Sequence, residues 1–324
     1  MTRALEIPRL EEIRAARARI ASSVLRIPLV RLNVEEAPAE IHLKLENLQP
    51  IGSFKLRGAG NAMRLRSCEE LRDGVVTASA GNMAQGVAWN AREMGVPCSV
   101  VVPDRAPQAK LDAIERLGAT IIKIPFEEWW QVILTHRCAG TKGLFIHPVS
   151  DPDVIAGNGT IGIEILEDLP DVDTILVPYG GGGLSVGIAA SVRALAPDVK
   201  VFACEVETAA PFRASLDAGA PRAIEHTPSF VDGIGGRSVL EEMWPLARRL
   251  LDGSHVVTLR EVAQAIRLLA ARNRVIAEGA GATPVAAALS GKAPGRKVVC
   301  VVSGGNINPH ALAQILMGEL PPAG

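Results

Sequence analysis

Short runs rich in valine and isoleucine alternate with longer amphipathic stretches along most of the chain. Runs of this length and composition predict buried β-strands. Because helix-like segments separate most of these runs, the order predicts parallel strands joined by crossover helices, as in an α/β fold. The predicted strands are residues 41–47, 74–77, 98–102, 120–124, 174–177, 200–205 and 297–302.

Three segments between the predicted strands carry the signals of helices. Residues 108–117 repeat apolar positions at helical spacing and stop at Gly118, a common residue just after a helix end. Residues 259–276 show the same spacing over a longer span. Residues 151–169 begin with aspartate and proline, which are frequent at helix starts.

Three stretches without charged residues are long enough to cross a bilayer, at residues 74–91, 174–192 and 298–318. Glycine and polar residues interrupt each of them, which is unsuited to a lipid-exposed helix. We therefore predict no membrane span, and interpret each stretch as a buried strand, a glycine loop and a helix. A loop at the carboxyl end of such a strand is where an open α/β sheet binds its ligand.

Composition narrows the class of protein further. A chain of 324 residues with 21% charged residues predicts a globular protein of two domains. A net charge of −1 and only 3% aromatic residues argue against nucleic acid as a partner. The five cysteines form no C-x-x-C pair, and the amino-terminal segment has no secretory pattern. We therefore expect a cytoplasmic protein without a disulfide framework.

Two of the four segments with candidate chemistry follow predicted strands early in the chain. The first is S-F-K-L-R-G at 53–58, where Ser53 alone predicts a helix N-cap and Lys55 a solvated lysine. The second is S-A-G-N-M-A-Q-G at 79–86, between a strand and a helix. Free N–H groups at that helix start suit a carboxylate, and an ordinary tight turn is the alternative.

The other two segments lie in the second half of the chain. Four glycines at 180–183 would let the backbone approach a ligand closely and direct several N–H groups at one phosphate. The dinucleotide pattern G-x-G-x-x-G cannot be placed on them, which argues against a nicotinamide oxidoreductase. S-G-G-N at 303–306 follows the last strand, and Glu278 follows the long helical segment, where it is either functional or a solvated helix end.

Together and in this order, these segments resemble the fold-type II pyridoxal-phosphate enzymes, above all the threonine/serine dehydratase and serine racemase family. The resemblance extends from about residue 13 to residue 308. It implies a two-domain α/β fold of the tryptophan synthase β type, in which each domain is a mostly parallel sheet flanked by helices. A smaller domain, 74–150, would be inserted in a larger one made of 1–73 and 151–324. A homodimer with pyridoxal 5′-phosphate in the cleft between the domains is also implied.

The resemblance implies roles for individual residues. Lys55 would be the Schiff-base lysine and the catalytic base, Asn82 would bond the cofactor's 3-hydroxyl, and Ser303 would meet its pyridine nitrogen. The glycine loop would hold the phosphate, and Glu278 would lie near the ring. The residues implied for the cofactor are Phe54, Lys55, Asn82, Gly180, Gly181, Gly182, Gly183, Leu184, Glu278 and Ser303. Those implied for the substrate are Ser79, Ala80, Gly81, Asn82, Met83 and Gln85.

Physical chemistry agrees with these implied roles. A neutral, glycine-lined cleft lowers the pKa of a lysine by desolvation and so makes it a nucleophile and base. A serine hydroxyl at the ring nitrogen stabilises a pyridinium less than a carboxylate would, which favours elimination over transamination. The expected reaction is dehydration of a small amino-acid substrate, by default L-threonine or L-serine, to a 2-oxo acid and ammonia. A non-catalytic ligand-binding relative is the alternative from another class, and the presence of Lys55 argues against it.

The chain departs from the family pattern in its substrate loop. Ala80 replaces the serine that protonates the second face in the racemases, so we predict little racemisation. Met83 replaces a histidine found in many relatives. This change either favours a bulkier β-substituent, as in phenylserine, or is neutral. The alternative substrate 3-hydroxyaspartate ranks lower, because the neutral loops offer no additional cation.

A second departure concerns a divalent-metal site known in racemase-like members. Glu205 matches its first ligand, but Pro211 stands in the place of a later aspartate ligand. Proline has no side-chain ligand, so no metal is expected. Val149 likewise replaces an asparagine that lies near the cofactor in some relatives.

Overall fold

Two β-sheets with helices packed on their faces make up residues 5–322, the part of the chain described by the computed structural model. The strands within this part are β1 (Val30–Arg31), β2 (Glu40–Leu45), β3 (Val75–Ala78), β4 (Cys98–Pro103), β5 (Thr120–Ile124), β6 (Leu144–Phe145), β7 (Thr174–Pro178), β8 (Lys200–Val206), β9 (Ser254–Val257) and β10 (Lys297–Val302).

The helices cover the sheets and carry the first residues after most of the loops. They are α1 (Leu10–Ile20), α2 (Lys55–Arg64), α3 (Asn82–Met94), α4 (Gln108–Glu115), α5 (Phe126–Thr135), α6 (Pro152–Asp168), α7 (Gly183–Leu195), α8 (Pro211–Ala218), α9 (Trp244–Leu250), α10 (Leu259–Leu268), α11 (Gly279–Leu289) and α12 (Pro309–Met317).

The larger sheet has the order β1-β2-β10-β7-β8-β9, and the smaller sheet has the order β5-β4-β3-β6. Every strand pair is parallel except β1 with β2. The predicted α/β class with two mostly parallel sheets is therefore confirmed. The smaller sheet and its connections fall inside the predicted range 74–150, while the domain boundaries themselves stay a prediction.

The three uncharged stretches each form a buried strand, a loop and a helix, as predicted. No helix within residues 5–322 is long and apolar enough to span a membrane. The predicted helix at 259–276 is too long, because α10 ends at Leu268 and one π-turn follows at 269–273. Arg274 then adopts a left-handed conformation with φ of 60°, which stops the helix.

Four charged side chains are buried together beneath α2, where they form a closed network. Arg57 donates to Glu46 at 2.8 Å from both Nε and Nη2, and to Glu164 at 2.7 Å from Nη1. Lys44 donates to Glu164 at 2.5 Å and to the carbonyl of Ile27 at 2.6 Å. All four charged residues are at most 3% exposed. Two positive and two negative charges satisfy each other, and they tie α2 to β2 and α6.

Replacement of one member of this network leaves the others buried without a counter-charge. We expect Arg57→Met to lower the free energy of unfolding by about 3–5 kcal/mol, measured by urea denaturation. Arg72→Met removes an exposed arginine 3.8 Å from Glu69 and should cost less than about 1 kcal/mol. Equal losses in the two variants would contradict the assignment of the network as a structural anchor.

Candidate active site

A cavity of about 510 Å³ lies where the loops that follow β3, β7 and β10 meet the start of α2. Every residue that the sequence analysis singled out for the cofactor or the substrate lines it. The volume is in the range of small-molecule sites. The fold therefore brings the four predicted segments to one place, although they are spread along the chain from residue 53 to residue 306.

Lys55 is the first residue of α2 and is directed into this cavity. Its Nζ donates to the carbonyl of Pro148 at 2.7 Å and lies 5.2 Å from the ring centroid of Phe54. Loss of hydration lowers the pKa of Lys55 to about 8, and the negative charge of Glu278 opposes that shift. An amine with this pKa is a better nucleophile and base near neutral pH than an ordinary lysine.

The loop that precedes Lys55 differs from the sequence-based expectation at Ser53. Phe54 occupies the N-cap position of α2, and Ser53 is fully buried with no hydrogen-bond partner for its hydroxyl among the described residues. The interpretation of Ser53 as a helix cap is therefore wrong. Ser53 instead pairs with Gly304 in an isolated antiparallel bridge, and its buried hydroxyl accepts no hydrogen bond from the N–H groups of the first turn.

Backbone hydrogen bonds join this loop to the loop after β10. Phe54 N–H donates to the carbonyl of Ser303 at 2.9 Å, and Gly305 N–H donates to the carbonyl of Gly52 at 2.9 Å. Gly52 has a φ of +72°, in the region that favours glycine. The two loops thus form one wall of the cavity, with Lys55 and Ser303 both lining it.

Glu278 is the N-cap residue of α11, and only 7% of it is exposed. It does not end the preceding helix, so the solvated alternative is wrong. Nδ2 of Asn82 donates to its two carboxyl oxygens at 2.9 and 3.1 Å, and Asn306 donates to Oδ1 of Asn82 at 2.7 Å. Burial raises the pKa of Glu278 to about 7, although the Asn82 amide opposes the shift. A carboxyl group near the cavity is therefore partly protonated at neutral pH.

The glycine loop turns sharply into α7. Gly182 has a φ of +95°, and α7 begins at Gly183 with its free N–H groups at the cavity. A Cβ atom at Gly181 would lie 2.5 Å from Cγ2 of Val149, and one at Gly183 would lie 2.8 Å from the carbonyl oxygen of that residue. Side chains at these positions would collide with Val149, so glycine lets the loop lie against that residue while the N-terminus of α7 faces the cavity, where it suits an anion such as phosphate.

The second segment forms the start of α3. Ser79 Oγ accepts a hydrogen bond from Gly81 N–H at 3.1 Å, and Asn82 is the first helical residue. Met83 lines the cavity but is only 2% exposed, because most of its side chain packs in the hydrophobic core beside the smaller sheet. This packing favours the neutral interpretation of methionine at this position.

Several lining residues were missed by the sequence analysis. Phe126 and Trp129 come from α5, Pro103 ends β4, and Lys110 forms an ion pair with Asp232 at 2.6 Å. The sequence signal for this part of the cavity is the aromatic segment F-E-E-W-W directly after a strand, in a chain with only eleven aromatic residues. Its position beside the cavity depends on tertiary packing.

Glu205, the implied first metal ligand, caps α8. Its carboxylate accepts hydrogen bonds from Phe212 N–H and Arg213 N–H, both at 2.8 Å, and from Ser254 Oγ at 2.5 Å. Pro211 occupies the first turn of that helix. Backbone donors thus take the place of a cation at these oxygens, so these residues do not fit the divalent-metal site of the racemases. That the chain binds no metal ion stays a prediction.

Residues 20–304 match the family model described as pyridoxal-phosphate dependent enzyme, so the chain belongs to that family. Over 320 residues it is 41% identical to the L-threonine ammonia-lyase of Thermotoga maritima, and the match covers 97% of this chain and 80% of the relative. The structure is similar to maize serine racemase, with a TM-score of 0.87, 32% identity and coverage of 97% and 98% of the two chains. For the threonine deaminase of T.th. the TM-score is 0.86, the identity 34% and the coverage 93% of this chain and 99% of the other.

The residues of the cavity fit the cofactor that the family implies. Lys55 offers an amine with a lowered pKa, and the glycine loop brings the N-terminus of α7 to the cavity. Ser303 places a hydroxyl-bearing residue in the wall next to the Lys55 loop. A lysine for the covalent bond, an anion cradle for the phosphate and a hydrogen-bonding side chain for the ring nitrogen together suit pyridoxal phosphate.

The raised pKa of Glu278 predicts a pH-dependent contribution to stability in the cofactor-free protein. Between pH 4.5 and 7 the unfolded carboxyl ionises while the folded one keeps its proton, so stability falls as the pH rises. The fall should amount to about 3 kcal/mol over this range and be absent in Glu278→Gln. Urea denaturation at several pH values measures it. Glu69→Gln, at an exposed carboxyl, is the control, and parallel curves for wild type and Glu278→Gln would refute the prediction.

Proposed function

We propose that this chain is a pyridoxal-phosphate-dependent dehydratase that converts L-threonine or L-serine to a 2-oxo acid and ammonia. The observation that carries the proposal is the meeting of Lys55, the glycine loop and the start of α3 in one cavity. The similarity to an L-threonine ammonia-lyase over nearly the whole chain supports the same reaction. The amino-acid substrate would be held between the two sheets.

In this proposal Lys55 binds the cofactor through Nζ and afterwards takes the proton from Cα of the substrate. The lowered pKa of about 8 leaves part of the amine unprotonated near neutral pH, as both tasks require. When bound, the cofactor supplies an electron sink for the negative charge that develops at Cα. The carbonyl of Pro148 accepts a hydrogen bond from Nζ, which would orient the amine while it is not bonded to the cofactor.

We assign the remaining contacts as the sequence analysis predicted them. The backbone of Gly180–Leu184 would hold the phosphate, Ser303 the ring nitrogen and Asn82 the 3-hydroxyl. Glu278 would lie near the ring, where its contact with Asn82 orients that amide. The loop 79–85 would bind the substrate carboxylate with the free N–H groups at the start of α3.

Ala80 lines the cavity and has no group that transfers a proton. A second proton donor on the opposite face of Cα is needed for inversion, so we propose dehydration with little racemisation. We further propose a cytoplasmic homodimer, and a division into a larger domain (1–73 and 151–324) and a smaller one (74–150). These last points rest on the resemblance and not on contacts within the chain.

The proposal is tested by the visible absorption spectrum of the purified holoenzyme before and after addition of L-threonine. We expect a band from the bound cofactor that shifts on addition, together with release of 2-oxobutyrate and ammonia. Lys55→Ala should lose turnover, because neither covalent binding nor proton removal at Cα remains.

Two further outcomes separate the alternatives. A protein that stays colourless after incubation with pyridoxal phosphate would overturn the assignment of Lys55. Chiral analysis of recovered L-serine should show little D-serine, and extensive inversion would instead indicate a racemase.

The assignment of the phosphate to the glycine loop predicts weaker cofactor binding in Gly181→Ala. The added methyl group would lie 2.5 Å from Val149 and would displace the loop from its position, so we expect the affinity for the cofactor to fall by roughly tenfold, or about 1.4 kcal/mol. A fluorescence titration of the apoenzyme with cofactor measures the change. Gly236→Ala, whose nearest neighbour is 3.8 Å away, is the control. The double variant Gly181→Ala with Val149→Ala should recover affinity, and no loss in the single variant would contradict the assignment.

A further inference from the structure

One wall of the cavity is aromatic, and the threonine or serine reaction does not account for it. Phe126 and Trp129 lie one helical turn apart on α5, with ring centroids 5.7 Å from each other. Both line the cavity that contains Lys55, and Pro103 continues the same apolar surface. The planes of the two rings are tilted by 34°, so together they offer an angled apolar surface for stacking or edge contacts.

The exposure of Phe126 shows that this surface is available to a ligand. It is the most exposed aromatic side chain among the described residues, at 42%. The guanidinium of Arg237 lies 5.8 Å from its ring centroid, but that arginine does not line the cavity. Trp129 is half-buried, and its indole N–H donates to the carbonyl of Val101 at 3.2 Å, which fixes the orientation of the ring. The wall is therefore accessible to a ligand, and the orientation of its indole ring is fixed.

The charges around the cavity select against an acidic substrate side chain. Lys55 and Lys110 are the cationic residues among its described lining residues. Lys110 is paired with Asp232 at 2.6 Å, and Lys55 is assigned to the cofactor. A second carboxylate on the substrate would meet no free cation among these residues, so its desolvation would not be offset.

We propose that the wall formed by Phe126 and Trp129 receives the β-substituent of the substrate. The enzyme would then act on β-hydroxy amino acids with an aryl or similarly large apolar β-substituent as well as on L-threonine. This inference rests on the proposed dehydratase function. For phenylserine the β C–O bond breaks, water leaves and is taken up again on hydrolysis, and the products are phenylpyruvate and ammonia. No oxidant or reductant takes part.

The inference differs from the sequence-based hypothesis, in which Met83 makes room for the bulkier group. Met83 is 2% exposed and packs in a core, so it offers little surface to a ligand. The apolar contact would come from α5, on the smaller sheet's side of the cavity. Substitution of Phe126 should therefore change substrate preference.

The test compares kcat/KM for L-threo-phenylserine and L-threonine in the holoenzyme and its variants. We expect wild type to turn over both. Phe126→Ala should lower the ratio of kcat/KM for phenylserine to that for L-threonine by roughly tenfold or more, because the larger apolar substituent loses more contact area with the ring. Trp130→Ala is the matched control, since Trp130 is the next residue after Trp129 and does not line the cavity. It should not change the ratio.

Phe126→Arg extends the test to charge. A cation at this wall should allow turnover of 3-hydroxyaspartate to oxaloacetate and ammonia, and it should reduce turnover of phenylserine. Wild type active on L-threonine but inactive on phenylserine, or an unchanged ratio in Phe126→Ala, would overturn the inference and leave the dehydratase proposal intact. Absence of any 2-oxo acid from either substrate would overturn the dehydratase proposal itself.

Discussion

The position of Lys55 depends on a group of charged side chains that are buried from solvent. Arg57 lies two residues further along α2 and is held by Glu46 on one side and Glu164 on the other. Buried charges are tolerated only when they are paired and hydrogen-bonded, and the addition of Lys44 makes this group neutral as a whole. The first turn of α2 is therefore tied to both β2 and α6, and the reactive amine starts from a fixed backbone.

The cavity above this anchor moves the pKa values of two titratable groups toward each other. Burial lowers the pKa of Lys55 to about 8 and raises that of Glu278 to about 7. In water the pKa values of a lysine and a glutamate side chain differ by about six units, so the amine holds a proton far more strongly than the carboxylate does. Inside the cavity the difference is small. A site of this kind can hold or release a proton near neutral pH with little change in free energy.

Much of the architecture could be predicted because it depends on local pattern. The seven predicted strands are all present, and the glycine loops lie where uncharged strands end. The short strands β1, β6 and β9 were missed, since two to four residues carry no clear periodicity. Ser53 was misinterpreted because its neighbour Phe54 takes the cap position, and the aromatic wall at Phe126 was missed because only packing of the two sheets places α5 at the cavity. Local sequence thus predicts which segments bear chemistry, and tertiary contacts decide what surrounds them.

The pairing of β2 with β10 has a consequence for how the protein is made. β2 ends ten residues before Lys55, while β10 and the loop at Ser303 come late in the chain. During translation the nascent chain exposes the lysine loop long before its hydrogen-bonding partner has left the ribosome. The wall made by Gly52, Phe54 and Ser303 cannot close until Ser303 itself has been synthesised. The complete cofactor site therefore forms only after this long-range pairing, and a chain that stopped before Ser303 would carry the reactive lysine without the wall beside it.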